Sequence, residues 1–231
     1  MSAKIEKKII SESIPSNFFL KFTQRVSKSI FTKILELRGK LVFVGNKQVN
    51  NMRQFILAPN HTSHLDSWAV LAGLSPELVE KICIPGAYDR FYKNFGHRLI
   101  TRLTAYHNFP FNREEKIRSG YNKMLVMLKA GFSLLIFGQG TRARDGSMLP
   151  FKPMLAGLAI KAKVPIIPVR IKGTYEMLPA GKIWPRAHPV KVIFGEPLLP
   201  EKFCDYNTDF RMNKVAKKIN SELMAKINQL E

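Results

Sequence analysis

Apolar positions along this 231-residue chain follow two rhythms. Short unbroken apolar runs at 41–45, 55–59, 81–85, 133–137, 164–169 and 191–195 read as strands. The run at 133–137 shows no alternation, which suits a parallel strand buried on both faces. Pro165 and Pro168 interrupt the run at 164–169 and predict an edge strand or a bulged one. Between the runs, apolar residues recur at helical spacing. Residues 16–37 carry Phe19, Phe22, Val26, Ile30, Ile34 and Leu37 on one stripe, widened by Phe18 and Phe31, with Lys21, Arg25, Lys28 and Lys33 off it. Two fates suit this helix: packing of the stripe on the core, or burial in a membrane interface. Residues 88–103 read as a very basic helix. Asn112 and Glu115 fit an N-cap and capping box, Ile117, Tyr121, Met124, Leu125 and Leu128 the buried face, and Gly131 the C-terminal cap of the next. A closing helix at 207–230 aligns Val215, Ile219, Leu223, Ile227 and Leu230. Strands alternating with helices predict an α/β fold: a mixed, mostly parallel sheet flanked by helices, with an N-terminal amphipathic helical segment (1–40) and a domain over 41–231.

The run at 55–59 leads directly into Asn60-His61-Thr62-Ser63-His64-Leu65-Asp66, and Leu65, Trp68, Ala69 and Ala72 then mark a helix. Strand ends of this kind are where α/β proteins place chemistry. Residues five apart in one helix lie about 140° apart around its axis. His61 and Asp66 therefore meet only if His61 is on the loop and Asp66 is in the first helical turn. A carboxylate so placed fixes the imidazole tautomer and leaves the second nitrogen as a general base. Ser63 to Asp66 also has the shape of a capping box with Asp in place of Glu.

Charge changes the picture further. Lys and Arg number 37 against 17 Asp and Glu, a net +20. The local balances are +6 over 1–40, +13 over 41–200 and +1 over 201–231, so the excess belongs mainly to the central body. Such a field attracts phosphates: nucleic acid, anionic lipid, nucleotide-bearing cofactors or an acidic carrier protein. Two segments offer a local anion site. Arg113 falls in a predicted first helical turn, where free amides already favour an anion. Gly138-Gln139-Gly140-Thr141-Arg142 follows a strand; its glycines allow close backbone approach, and its hydroxyl and guanidinium suit a phosphate. Arg144, Lys152 and Lys172 add local positive charge. Cys83 and Cys204 have no metal-ligand spacing and read as reduced thiols. No run of about 18 apolar residues predicts a transmembrane helix. The lysines at 4, 7 and 8 precede no apolar block with a cleavage site, so no secretory signal is expected.

Taken in order, Asn60-His61-x4-Asp66, Phe109–Arg113, Phe137–Arg142 and Val164-Pro-Ile-Ile-Pro-Val169 resemble the four-block signature of the PlsC-type glycerolipid acyltransferases, which include the lysophosphatidate acyltransferases. The resemblance implies transfer of a fatty acyl group from a thioester, on coenzyme A or acyl carrier protein, to a lysophospholipid hydroxyl, with no further cofactor. It implies His61 as general base held by Asp66, and Arg113, Gly140, Thr141 and Arg142, with Gln139 between them, as residues that bind the acceptor. His64 falls at a variable position of the motif. One departure stands out: the third block of the family usually reads Phe-Pro-Glu-Gly-Thr-Arg, and here Gly138 and Gln139 replace the proline and glutamate. Gln139 removes a negative charge and adds donors, which puts acceptor identity in question. The expected setting is peripheral, on the cytosolic face of an anionic membrane. Three other classes compete. A nucleic-acid binder would explain +20, but the chain lacks a recognised binding motif. A metal hydrolase would use His61, His64 and Asp66, but His97, His107 and His188 do not pair at ligand spacing, so no metal is expected. A membrane scaffold whose catalysis has lapsed would explain Gln139.

Overall fold

A computed structural model describes residues 6–7, 9–11, 18–87, 108–111, 117–179, 181–182, 184–203 and 212–231. A long helix, α1 (Phe18–Arg38), precedes β1 (Leu41–Val44), a short helix α2 (Asn46–Asn50) and β2 (Ile56–Pro59). Then come α3 (Asp66–Ala72), α4 (Pro76–Val79), β3 (Ile82–Ala87), β4 (Asn108–Phe111), α5 (Ile117–Lys129) and β5 (Ser133–Leu135). The chain continues through α6 (Met154–Ala162), β6 (Ile166–Lys172), α7 (Thr174–Met177), β7 (Val190–Phe194) and α8 (Met212–Gln229). The seven strands form one sheet in the order β1-β7-β6-β2-β5-β3-β4. Every neighbouring pair is parallel except β6 and β7. The expected mixed, mostly parallel α/β architecture is thus the observed one.

Alternation along the central strand divides the interior into two layers. Phe55 and Leu57 point into one hydrophobic cluster, with Leu35 of α1, Ala69 of α3 and Val79 of α4. Ile56 and Ala58 point into the other, with Met124 of α5, Leu155 of α6 and Ile219 of α8. All four strand residues are fully buried. This is why the run reads as continuously apolar: each face of the strand meets a layer of helices.

The predicted elements that fall on described residues are found with boundaries shifted by a few residues. Gly131 takes a positive φ of 88° beyond α5, as its capping role requires. Met124 and Leu128 are buried on the predicted face, as are Ile219, Leu223 and Ile227 on α8. The basic stretch 88–103 and the proposed cap at Asn112 and Glu115 lie outside the described residues, as does the predicted start of the closing helix. The polar stretch between β1 and β2 contains α2.

The expectation for 164–169 was wrong. β6 is central, between β7 and β2, and neither an edge strand nor a bulged one. Pro168 is tolerated because its carbonyl accepts from Gly195 N–H, one residue past the end of β7, at 2.9 Å. The donor that proline lacks would face the same place, so no bond to a residue of β7 is lost. Pro165 precedes the strand and offers its carbonyl to Ile56 N–H.

Part of α1 packs on the core, and the centre of its apolar stripe faces outward. The ring of Phe31 stacks on Trp68 of α3, centroids 4.1 Å apart, and Leu35 and Ser27 are buried. Arg25 pairs with Glu80, and Lys28 Nζ donates to Leu74 O at 2.9 Å. Burial lowers the pKa of Lys28 below the usual lysine range, against a smaller opposing effect of Glu77. Phe22, Val26, Ile30 and Leu37 face outward, Leu37 being 79% exposed.

Candidate active site

The site forms at the C-terminal rim of the sheet, where β2, β5 and β6 lie side by side. His61 follows β2 on a short loop, and Asp66 opens α3, the arrangement that the five-residue spacing demands. Nδ1 of His61 lies 2.8 Å from Oδ2 of Asp66. The same oxygen accepts from the backbone N–H groups of Thr62 (2.7 Å) and Ser63 (2.9 Å). The other carboxylate oxygen, Oδ1, accepts from the hydroxyl of Thr174 at 2.6 Å. The capping reading of Ser63–Asp66 was therefore half right. The carboxylate reaches back to Ser63 N–H, but the Ser63 hydroxyl, which donates to Leu178 O, accepts from Leu65 N–H at 3.2 Å and not from the Asp66 N–H of a capping box.

This pattern fixes the imidazole tautomer. An oxygen that already accepts two N–H bonds acts as a carboxylate acceptor, so the neutral imidazole has its proton on Nδ1 and its lone pair on Nε2. The ring is further held by stacking on Phe137, centroids 3.8 Å apart, at the end of the β5 run. Asn60 anchors the loop to β6: its amide donates to Ile171 O at 3.0 Å and accepts from Ile171 N–H at 2.7 Å.

The loop after β5 saddles the main chain of His61. Oε1 of Gln139 accepts from His61 N–H at 2.5 Å, and His61 O accepts from Ala143 N–H at 2.9 Å. Gln139 is 3% exposed. Because His61 N–H must meet an oxygen, the amide orientation is settled, and Nε2 is left as a buried donor with no partner among the described residues. Gly140 has a φ of 73°, and a Cβ there would come within 3.0 Å of Lys152 Nζ. The Lys152 ammonium thus lies against the turn. A side chain at Gly138 would meet the ring of Phe151 at 2.6 Å, which accounts for glycine at that position. Thr141 is exposed and Arg142 half-buried on the same turn.

Of the residues that the sequence singled out, His61, Asp66 and Gln139 are brought together, and Gly140, Thr141 and Arg142 lie on the loop clamped to His61. Arg113 lies outside the described residues. Among the described residues no group of three or more His, Cys, Asp or Glu is placed to hold a metal ion. Cys83 is buried in the core, and burial pushes its thiol pKa up. Sequence reasoning missed Thr174 and Phe137 as parts of the site. The signal for Thr174 was its place directly after β6, the strand beside β2.

Residues 40–172, which contain all four sequence blocks, match the family described as Acyltransferase. The chain belongs to that acyltransferase family. Relatives are 1-acyl-sn-glycerol-3-phosphate acyltransferases. One from Bacillus subtilis is 25% identical over 199 residues, 86% of this chain and 94% of the relative. One from Limnanthes douglasii is 33% identical over 149 residues, 63% of this chain and 50% of the relative. The chain thus spans about half the length of plant acyltransferases that it matches. Among solved structures, PlsC of Thermotoga maritima, a 1-acyl-sn-glycerophosphate acyltransferase, superposes with a TM-score of 0.67 at 21% identity, covering 99% of this chain and 90% of PlsC. That likeness bears out the PlsC-like acyltransferase fold.

Proposed function

We propose that this chain moves a fatty acyl group from acyl-CoA or acyl carrier protein to the free hydroxyl of a lysophospholipid, 1-acylglycerol 3-phosphate above all, in phospholipid biosynthesis. The observation that carries the reading is the grip of Asp66 on Nδ1 of His61. Nε2 takes the proton of the acceptor hydroxyl as its oxygen attacks the thioester carbonyl. The tetrahedral intermediate collapses, the C–S bond breaks, and the thiolate takes the proton back from the imidazolium. The products are the diacyl lipid and the free thiol. No acyl-enzyme forms, and the chemistry calls for no cofactor. Arg142, Thr141, Gly140 and Gln139, with Arg113, hold the acceptor, its phosphate facing the cationic loop.

Two observations support a peripheral membrane setting, on the cytosolic face. The net charge is +20, and α1 turns four apolar side chains outward while its other side is fixed to the core. Among the described residues no helix is long and apolar enough to cross a membrane. A second reading, another lipid acceptor, is favoured by the unpartnered amide of Gln139.

The decisive experiment is an acyl-transfer assay of His61→Ala with lysophosphatidate and both donors. Loss of general-base catalysis is expected to lower the rate about 10²- to 10⁴-fold with the far-ultraviolet CD spectrum unchanged. Full activity in that variant would remove the mechanism.

A further inference from the structure

The outward apolar residues of the described chain are concentrated. Six large ones are exposed, and four of these, Phe22, Val26, Ile30 and Leu37, share one face of α1. Another is Trp184, 78% exposed, between α7 and β7. An exposed tryptophan beside water is costly unless something covers it, and its amphipathic ring suits the boundary of headgroup and acyl chain. Lys182 and Arg186 flank it, both exposed.

Strand direction places this loop. β7 runs antiparallel to β6, with Lys191 opposite Lys172, so it begins where β6 ends. β1 runs parallel to β7, with Leu41 opposite Val190, and begins at the same rim. The end of α1 and the segment carrying Trp184 therefore lie on the edge of the sheet that carries His61. Backbone bonds tie the two together: His188 N–H donates to Arg38 O at 2.9 Å and Val190 N–H to Lys40 O at 2.8 Å. At Gly39 the packing is so close that a Cβ would fall 2.0 Å from His188 O. Four residues of chain, at most about 14 Å, separate Trp184 from His188. On the inner side the segment is pinned by Arg186 N–H to Met177 O at 2.7 Å, next to Leu178, whose carbonyl accepts from Ser63.

We propose that Trp184, with Lys182 and Arg186, is a second membrane contact, which inserts at the headgroup boundary of an anionic bilayer and turns the catalytic rim toward the lipid. The inference rests on the peripheral membrane reading above and deepens it. α1 alone fixes only a line on the bilayer. A second contact at the end of that line, on the rim side, fixes the rotation about it and sets His61 where a single-chain lipid leaves the membrane. Charge selects the occupant: Lys33, Arg38 and Lys40 are exposed around α1, as Lys182 and Arg186 are around Trp184, which suits anionic headgroups.

The chain has two tryptophans, Trp68 and Trp184, so a Trp68→Phe variant reports on Trp184 alone. Vesicles of phosphatidylcholine with about one third phosphatidylglycerol are expected to shift its emission to shorter wavelength. Brominated acyl chains are expected to quench it. Trp184→Ala is expected to weaken vesicle affinity about tenfold, with activity on monomeric short-chain acceptor unchanged. If Trp68→Phe loses its fold, the difference between wild type and Trp184→Phe gives the same reading. Vesicle binding without shift or quenching would overturn this contact and leave membrane attachment through α1 standing. Absence of vesicle binding at low salt would remove the membrane reading itself. A shift on adding acyl carrier protein but not vesicles would overturn the inference in favour of a donor-docking loop.

Discussion

Asp66 accepts four hydrogen bonds, three at one oxygen and one at the other, and this decides what His61 can do. A carboxylate so satisfied holds its orientation without help from substrate, so on the proposed chemistry the base is set before the acceptor arrives. Among the described residues, Thr174 is the one side chain besides His61 that donates to it. Thr174→Val keeps the shape and removes the donor. The expected result is a fall in kcat of about tenfold with little change in KM, and Thr174→Ser is expected to restore the rate. Equal losses in the valine and serine variants would show that Thr174 serves packing alone. Gln139 makes a separate point. Its oxygen secures His61 N–H, a task that glutamate could share, but its buried Nε2 can only donate. Gln139→Glu puts an anion where a phosphate-bearing acceptor is proposed to sit. KM for lysophosphatidate is expected to rise about tenfold relative to monoacylglycerol, as steady-state kinetics on both acceptors would read. The His61–Asp66 pairing was legible in the sequence because spacing and helix geometry leave one way for the two to meet. Thr174 was not: its place just after β6 set it near the rim, but nothing local links it to a residue 108 positions away.

At the scale of elements, α1 shows why periodicity alone could not assign its stripe. An amphipathic pattern reports which side is apolar, not what covers it. Phe18 and Phe31 looked like additions to the stripe, yet Phe31 supplies the stacking contact with Trp68, while the residues at the centre of the stripe face out. Phe31→Ala is expected to cost about 2 kcal/mol of stability in urea unfolding. Ile30→Ala is expected to change stability by less than about 0.5 kcal/mol and to weaken vesicle binding instead. The reverse assignment would mean that α1 packs through its other face. β6 teaches a related lesson. Proline ranks a strand by hydrogen-bond loss, and that loss depends on where the neighbouring strand stops. The end of β7 is a tertiary fact, so the central place of β6 was not readable from 164–169.

For the whole molecule, the order of blocks along the chain foretold the site because parallel strands bring their C-terminal ends to one rim. Net charge pointed to a phosphate-bearing partner, such as the acceptor proposed above, without choosing it. The division of the core into two layers was visible only as runs without alternation. One consequence of the saddle over His61 remains. His61 is clasped by the loop through both its amide and its carbonyl, at residues 139 and 143. Base and cationic turn therefore move as a single body, and on the proposed chemistry the interval between them is constant. An acceptor must span that interval between phosphate and nucleophilic oxygen. The 2-acyl isomer of lysophosphatidate has its free hydroxyl one carbon farther from the phosphate. It is expected to react at least about tenfold more slowly than the 1-acyl isomer, measured with each under conditions that block acyl migration. Regiochemistry would then be a property of one short loop's stiffness, not of any side chain that reads the glycerol.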